Sequence, residues 1–197
     1  MAEKKLENVR VAILATDGFE EAELFVPKKA LEAAGAKTVV IAPKAGKIEG
    51  MVHSEKGKKV TVDLTLDQAD PKEFDALVLP GGAFNADALR VEPRALEFVR
   101  QFDREKKPMA VICHAPWLLV SAGVVKDRTL TSYHTIQDDI RNAGGKWVDQ
   151  PLVRDGNWVT SRQPDDLPVF DQAMIELFAE RGPSQRGPGS IAVGPAR

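Results

Sequence analysis

Apolar and polar positions come in blocks along this chain, and the blocks alternate in period. Residues 9–15 (VRVAILA) form a β-branched and aliphatic run suited to a strand buried on both faces. Asp17 and Gly18 break it, and a helical pattern then runs to Ala34, with Gly35 as its stop. Pro27 falls inside that pattern and marks either a first turn or a kink. Residues 38–42 (TVVIA) are the next strand. Residues 43–59, rich in Gly and Lys, lead into 60–63 (VTVD), a pattern for a short surface hairpin. Residues 75–80 (DALVLP) read as another buried strand ended by Gly81-Gly82.

Further on, Pro93 suits a first helical turn, and Leu96, Val99 and Phe102 follow along one face. Residues 109–112 (MAVI) make a fourth strand, and 114–122 (HAPWLLVSA) an almost wholly apolar, hence buried, helix. Residues 129–132 (TLTS) fit a fifth strand, and Ile136, Ile140 and Ala143 describe one helix face closed by Gly144-Gly145. The residues around Asp155-Gly156 predict an antiparallel hairpin. Val169, Phe170, Ala173, Met174, Leu177 and Phe178 form the inward stripe of a last helix. Strands alternating with helices predict an α/β fold, a mostly parallel sheet with helices on both faces. The folded domain spans 9–181 after an extension over 1–8. The Gly, Pro, Ser and Arg composition of 182–197 predicts a flexible tail, because it offers too little apolar surface to order itself.

Composition narrows the possibilities. At 197 residues, with 43% hydrophobic and 28% charged residues, the chain suits one globular domain. A formal charge of −2 gives no electrostatic signal for nucleic acid or an anionic membrane. No apolar run approaches the roughly 18 residues of a membrane span. The start (MAEKKLEN) lacks the apolar stretch of a signal peptide, so the expected address is the cytoplasm. One cysteine and three histidines leave no disulfide framework and no basis for a cysteine-rich metal site.

That single thiol, Cys113, is therefore either packing or chemistry. It sits where a strand gives way to a helix, with His114 beside it. In open α/β sheets the functional crevice lies beyond the carboxyl ends of the strands, and residues 17–23, 80–82 and 113–114 all fall at such ends. A nucleophile on a tight strand-to-helix turn, a nucleophile elbow, projects into the crevice. A helix N-terminus below it favours thiolate over thiol. The N–H of His114 and one from Gly81-Gly82 could hold a developing oxyanion. Plainer readings stand beside these. Free cysteine is among the most buried residue types. Gly81-Gly82 also reads as an ordinary turn, Glu20, Glu21 and Glu23 as a solvated helix start, and Trp117 as core.

Taken together, GFEEAEL (18–24), EFDALVLPGG (73–82), AVICH (110–114), TSY (131–133), Asp138-Asp139, NAG (142–144) and TSRQPDDLP (160–168) carry a resemblance. Over residues 9–178 the chain resembles the PfpI-type intracellular cysteine peptidase and deglycase family, within the class I glutamine amidotransferase-like superfamily. The resemblance implies a flavodoxin-like three-layer α/β/α sandwich with Cys113 as nucleophile and His114 as its acid/base partner, without cofactor or metal. Adjacent side chains at a helix start diverge, so His114 needs a third group to hold its ring. In this family that carboxylate comes from the neighbouring subunit just after the Gly-Gly turn, which points to Asp87 and to a homodimer or higher homo-oligomer. Glu23 matches a buried glutamate beside the cysteine. Ionised, it would repel the thiolate; protonated, it would donate to sulfur, so Glu23 is expected to be neutral. Tyr133 matches a tyrosine near the pocket, and His134 is a further candidate. Family members often have Gly-Pro-Gln after the Cys-His pair, where this chain has Ala115-Pro116-Trp117.

The function implied is a cofactor-independent cysteine hydrolase acting on small carbonyl adducts, such as those of methylglyoxal, or a glyoxalase-like activity; the alternative substrates are peptides. A non-enzymatic role as a redox-sensing stress protein or holdase is the rival class. A true amidotransferase would want a domain to receive ammonia, for which this chain has no room.

Overall fold

Every residue from Val11 to Leu14 is buried, and that places β1 (Arg10–Leu14) in the middle of a seven-stranded sheet. The computed structural model describes residues 5–181, so the predicted tail, 182–197, lies outside the described residues. After β1 come β2 (Phe19–Glu20), α1 (Glu21–Ala33), β3 (Lys37–Ala42), β4 (Lys47–Val52), β5 (Glu55–Thr61) and β6 (Leu64–Thr65). The middle of the chain supplies β7 (Ala76–Leu79), α2 (Ala83–Leu89), α3 (Pro93–Arg104), β8 (Met109–Ile112) and α4 (Pro116–Ala122). The last third holds β9 (Thr129–Leu130), α5 (Gln137–Asn142), β10 (Lys146–Trp147), β11 (Val153–Asp155), β12 (Trp158–Ser161) and α6 (Leu167–Arg181).

The main sheet has the order β11-β12-β8-β7-β1-β3-β6, parallel throughout except for β11 against β12. Side chains alternate across it as the strand period requires. Ala12 and Leu14 join one core with Phe98, Phe102 and Leu119 from α3 and α4. Val11 and Ile13 join the other with Leu24, Leu31, Phe170 and Met174 from α1 and α6. The result is the predicted three-layer sandwich. The chain leaves β1 for β3 and β6, then crosses back to β7 and moves outward through β8 and β12. The order reverses between β1 and β7, so the crevice opens there, at the carboxyl ends of β1, β7 and β8. A small sheet β2-β4-β5 stands beside it, tied in by Gly18 N–H to Glu49 O at 2.8 Å and Glu49 N–H to Asp17 Oδ1 at 2.7 Å.

Several expectations need correction. The predicted fifth strand over 129–132 shrinks to β9 and pairs only with β10, because β12 takes the edge of β8 with Trp158 opposite Met109. The apolar helix begins at Pro116, not His114, and runs for only seven residues. Its Trp117, Val120 and Ser121 are partly exposed, so it is buried along one side only. Val169 is 44% exposed, since the neighbouring Phe170 takes the inward direction. Pro27 lies in the second turn of α1, where its missing N–H leaves one helical bond unmade. The N-terminal extension is partly integrated: Leu6 is buried and its N–H donates to Ala34 O at 3.0 Å. Among the described residues no helix is long and apolar enough to cross a membrane, and no three His, Cys, Asp or Glu side chains group to hold a metal ion.

Candidate active site

Cys113 follows β8 in the left-handed region, with φ +62°, a conformation that costs energy for any residue with a Cβ. Two bonds hold it there: its N–H donates to Ser161 O at 3.0 Å, and its carbonyl accepts from Tyr133 N–H at 2.8 Å. The predicted elbow is therefore present, but the helix beneath it is not the one expected. With α4 starting three residues later and spanning two turns, its dipole has little reach to the sulfur.

What surrounds the sulfur instead is a set of directed donors. The N–H groups of Gly82 and His114 both point at Sγ. Gly81 was expected to share the oxyanion role, yet its N–H is committed to Glu23 Oε2 at 2.8 Å. A Cβ on Gly81 would strike that same oxygen and lie 2.6 Å from the Cys113 Cβ, so only glycine lets the turn approach. Gly82 has φ +92°. Asn85, which sequence reasoning passed over in favour of Asp87, fixes this turn. Its Nδ2 donates to the carbonyls of Pro80 and Gly81, each at 3.0 Å, while its Oδ1 accepts from Thr16 N–H at 2.7 Å.

Glu23 is 0% exposed, and its Oε1 has no hydrogen-bond partner of ordinary geometry; the sulfur is the atom it can serve. Burial pushes its carboxyl up to about 8, against the pull of Cys113 and the Gly81 N–H, which favours the protonated form at neutral pH. The sulfur departs from expectation. Cys113 is 6% exposed, burial pushes the thiol up, and an ionised Glu23 would push it further, while the Gly82 and His114 N–H groups pull the other way. Burial thus favours the thiol over the thiolate. Negative charge on the sulfur becomes tolerable as a proton leaves it, provided Glu23 stays neutral and turns from repulsive neighbour into donor.

His114 is placed to take that proton. Its Nδ1 lies 3.2 Å from Sγ. The two side chains converge rather than diverge, because the left-handed backbone at Cys113 and the late helix start turn them together. Burial, and then His134, hold the imidazole below its usual value, which favours its neutral form. Its Nε2 is 3.4 Å from Thr135 Oγ1, a contact no sequence spacing announced. If Nδ1 accepts from sulfur, Nε2 carries the hydrogen that Thr135 receives. Tyr133 stacks on the ring at 4.8 Å, and His134 lies tilted against Tyr133 at 4.6 Å. Tyr133 thus supports His114 while lining the pocket. Trp117 packs against the core and edges His114 at 5.6 Å without lining the cavity. Asp87 is exposed on α2, while the hydrogen-bond contacts of the His114 ring within the chain go to Cys113 and Thr135.

A cavity of about 410 Å³ opens over these groups. Beside Cys113, His114, Glu23, Gly82 and Tyr133, it is lined by Glu20, Met51, His53, Phe84, Gln163 and Asp165. His53 comes from the turn between β4 and β5, and Asp165 from the turn before α6, so distant segments close the pocket.

A family model described as the DJ-1/PfpI family matches residues 9–177. The protein named Deglycase TK1284, from Thermococcus kodakarensis, is 43% identical over 170 residues, covering 86% of this chain and 99% of that one. A Bacillus subtilis relative that carries a cysteine-protease name, YraA, is 40% identical over 169 residues, 86% of this chain and 98% of its own. Among solved structures, a two-domain protein from Anabaena variabilis with a DJ-1/ThiJ/PfpI-like and a ferritin-like domain superimposes with a TM-score of 0.82 at 31% identity. The match covers 92% of this chain and 52% of that one, so the chain spans about half of that protein.

Proposed function

Because the chain belongs to the DJ-1/PfpI family and is a cysteine-dependent hydrolase of deglycase or peptidase type, we propose that it releases amines or thiols from their adducts with small dicarbonyls such as methylglyoxal. The observation that carries this choice over proteolysis is the cavity. At about 410 Å³, walled by a strand turn, a helix start and the β4–β5 hairpin, it suits a small adduct better than an extended peptide.

The first step balances within the site. The thiol proton passes from Sγ to His114 Nδ1, Sγ bonds to the carbonyl carbon, and the π pair moves to oxygen. The N–H groups of Gly82 and His114, which favour negative charge on the sulfur, would receive that oxyanion. Glu23 keeps its proton on the opposite side. Overall, adduct and water give lactate and the free amine or thiol. One adduct carbon is oxidised as its neighbour is reduced, so no outside electron acceptor is needed. The proton held on His114 returns to the departing group.

Self-association is part of the proposal. Asp87 from a neighbouring copy would bring a carboxylate to the Nε2 side of His114, where Thr135 alone now stands. Mixing Cys113→Ala and Asp87→Asn proteins, each poorly active alone, would then restore turnover through mixed interfaces. The main test is comparative: purified protein should clear methylglyoxal adducts faster than it cuts casein, with both rates lost in Cys113→Ala. Faster casein cleavage would reverse the choice of substrate.

A further inference from the structure

The cavity has an uneven charge. Its lining includes the carboxylates of Glu20 and Asp165 and no lysine or arginine. Basic side chains nearby are engaged elsewhere: Arg162 with Asp149 and Asp166, Lys58 with Glu21, Lys56 with Glu49. Glu20 is half-buried; it accepts from the backbone N–H of His53 at the hairpin tip, and the His53 imidazole, which also lines the cavity, lies within electrostatic reach of its carboxylate. The ring of Phe84 lines the same cavity and is 68% exposed, whereas Tyr133 packs against His114 and His134. Carboxylates beside aromatic faces are the chemistry that recognises an organic cation, through Coulomb attraction and the negative face of the ring. The cavity is also lined by Glu23, whose wholly buried Oε1 has the Cys113 sulfur as the atom it can serve.

We propose that this lining forms a cation subsite, in which Glu20 and Asp165, with Phe84, select adducts bearing an ammonium or guanidinium group near the carbonyl that Cys113 attacks. The proposal deepens the reading above and rests on it for the chemistry at sulfur, though not for the recognition of charge. It also explains how so acidic a pocket can host a developing thiolate. Burial already opposes charge on Cys113, and burial likewise pushes the Glu20 carboxyl above its usual range. A cation seated against Glu20 offsets that field as it binds, so the right substrate promotes its own attack. An anionic adduct would deepen the same field.

Two measurements on the full chain test this separately. The first is binding: choline and its uncharged carbon isostere are titrated against the protein by NMR. Choline should bind about tenfold more tightly, and Glu20→Gln should bring the two within about threefold. Asp165 is exposed, so Asp165→Asn, with a smaller loss of preference, keeps the test open should Glu20→Gln fail to fold. Equal binding to the wild-type protein, or a preference untouched by both variants, overturns the subsite. The second is turnover of methylglyoxal hemithioacetals of thiocholine, N-acetylcysteamine and mercaptopropionate, which share one reacting group and differ in charge. The kcat/KM should fall from cation to neutral to anion, with the spread compressed in Glu20→Gln. Cation preference in binding with no turnover of any adduct sinks the proposed reaction and leaves the subsite standing. Turnover without regard to charge does the reverse.

Discussion

At the amino-terminal end of β8 and β12, Arg128 has every direction occupied. Its guanidinium donates to Asp103 at 2.8 Å, to Asn157 at 3.0 Å and to the Asp155 carbonyl at 3.2 Å, and lies 4.1 Å over the Trp158 ring. Asn157 in turn donates to Lys107 O at 2.8 Å. At the carboxyl end of the same two strands, Cys113 sits at a positive φ, Glu23 leaves one oxygen unpartnered, and two N–H groups converge on one sulfur. Both clusters bury polar groups against the same sheet. One is satisfied and locks the strands; the other holds its donors and one acid proton in reserve for an atom that is not yet charged. Incomplete satisfaction at fixed geometry separates a site from a staple.

Substitutions should therefore split stability from activity. Cys113→Ala should reduce turnover by roughly a thousandfold or more while changing stability by less than about 1 kcal/mol, measured by kinetics and denaturant titration. Arg128→Ala should do the opposite, costing about 2–3 kcal/mol by leaving Asp103 and Asn157 without their donor, with turnover per folded molecule retained. A large activity loss there would break the contrast between the two ends.

Glu23→Gln sharpens it, because that residue belongs to both ledgers. Turnover should fall about ten- to a hundredfold, since an amide is a poorer donor to sulfur than a carboxylic acid. Stability should move the other way. Burial raises the carboxyl from 4.5 to about 8, so the folded state holds a proton that the unfolded state releases in that window. Wild-type stability then declines as pH rises from about 5 to 8, by up to about 1.4 kcal/mol per pH unit, and the Gln variant escapes that decline. Melting curves at several pH values, with the two proteins diverging upward, check this. The smallest effect belongs to Thr135. Thr135→Val should slow turnover about three- to tenfold and shift the pH dependence as the His114 tautomer loosens, and Thr135→Ser should restore both.

The parts legible in the sequence are those that interrupt a pattern. Gly81-Gly82 ends an apolar run and Cys113-His114 divides a strand from a helix, whereas the pattern alone reads Glu23 as part of a solvated helix start and only the family resemblance pointed to its burial. Groups that meet only after folding stayed out of reach. Thr135 stands 21 residues from the ring it touches, and Asn85 stands 69 from Thr16. Glu20, His53 and Asp165 share a wall that the strand order creates. For Asn85 one signal was available: an amide in the first turn after a Gly-Gly break is well placed to tie that turn. The upward push on the sulfur was out of reach for a related reason. The helix dipole was inferred from a helix drawn two residues too early, and burial of the thiol depends on packing around Gly81 that periodicity does not encode.

The account depends most on the proton carried by Glu23 beside the sulfur. Carbon-13 NMR of the glutamate side-chain carboxyls, with the Glu23 signal assigned by its loss in Glu23→Gln, follows that proton directly across the pH range. A midpoint near 8 is the predicted result. A carboxyl already ionised at neutral pH, titrating like an exposed glutamate, would place a negative charge against the nucleophile and contradict the arrangement described here.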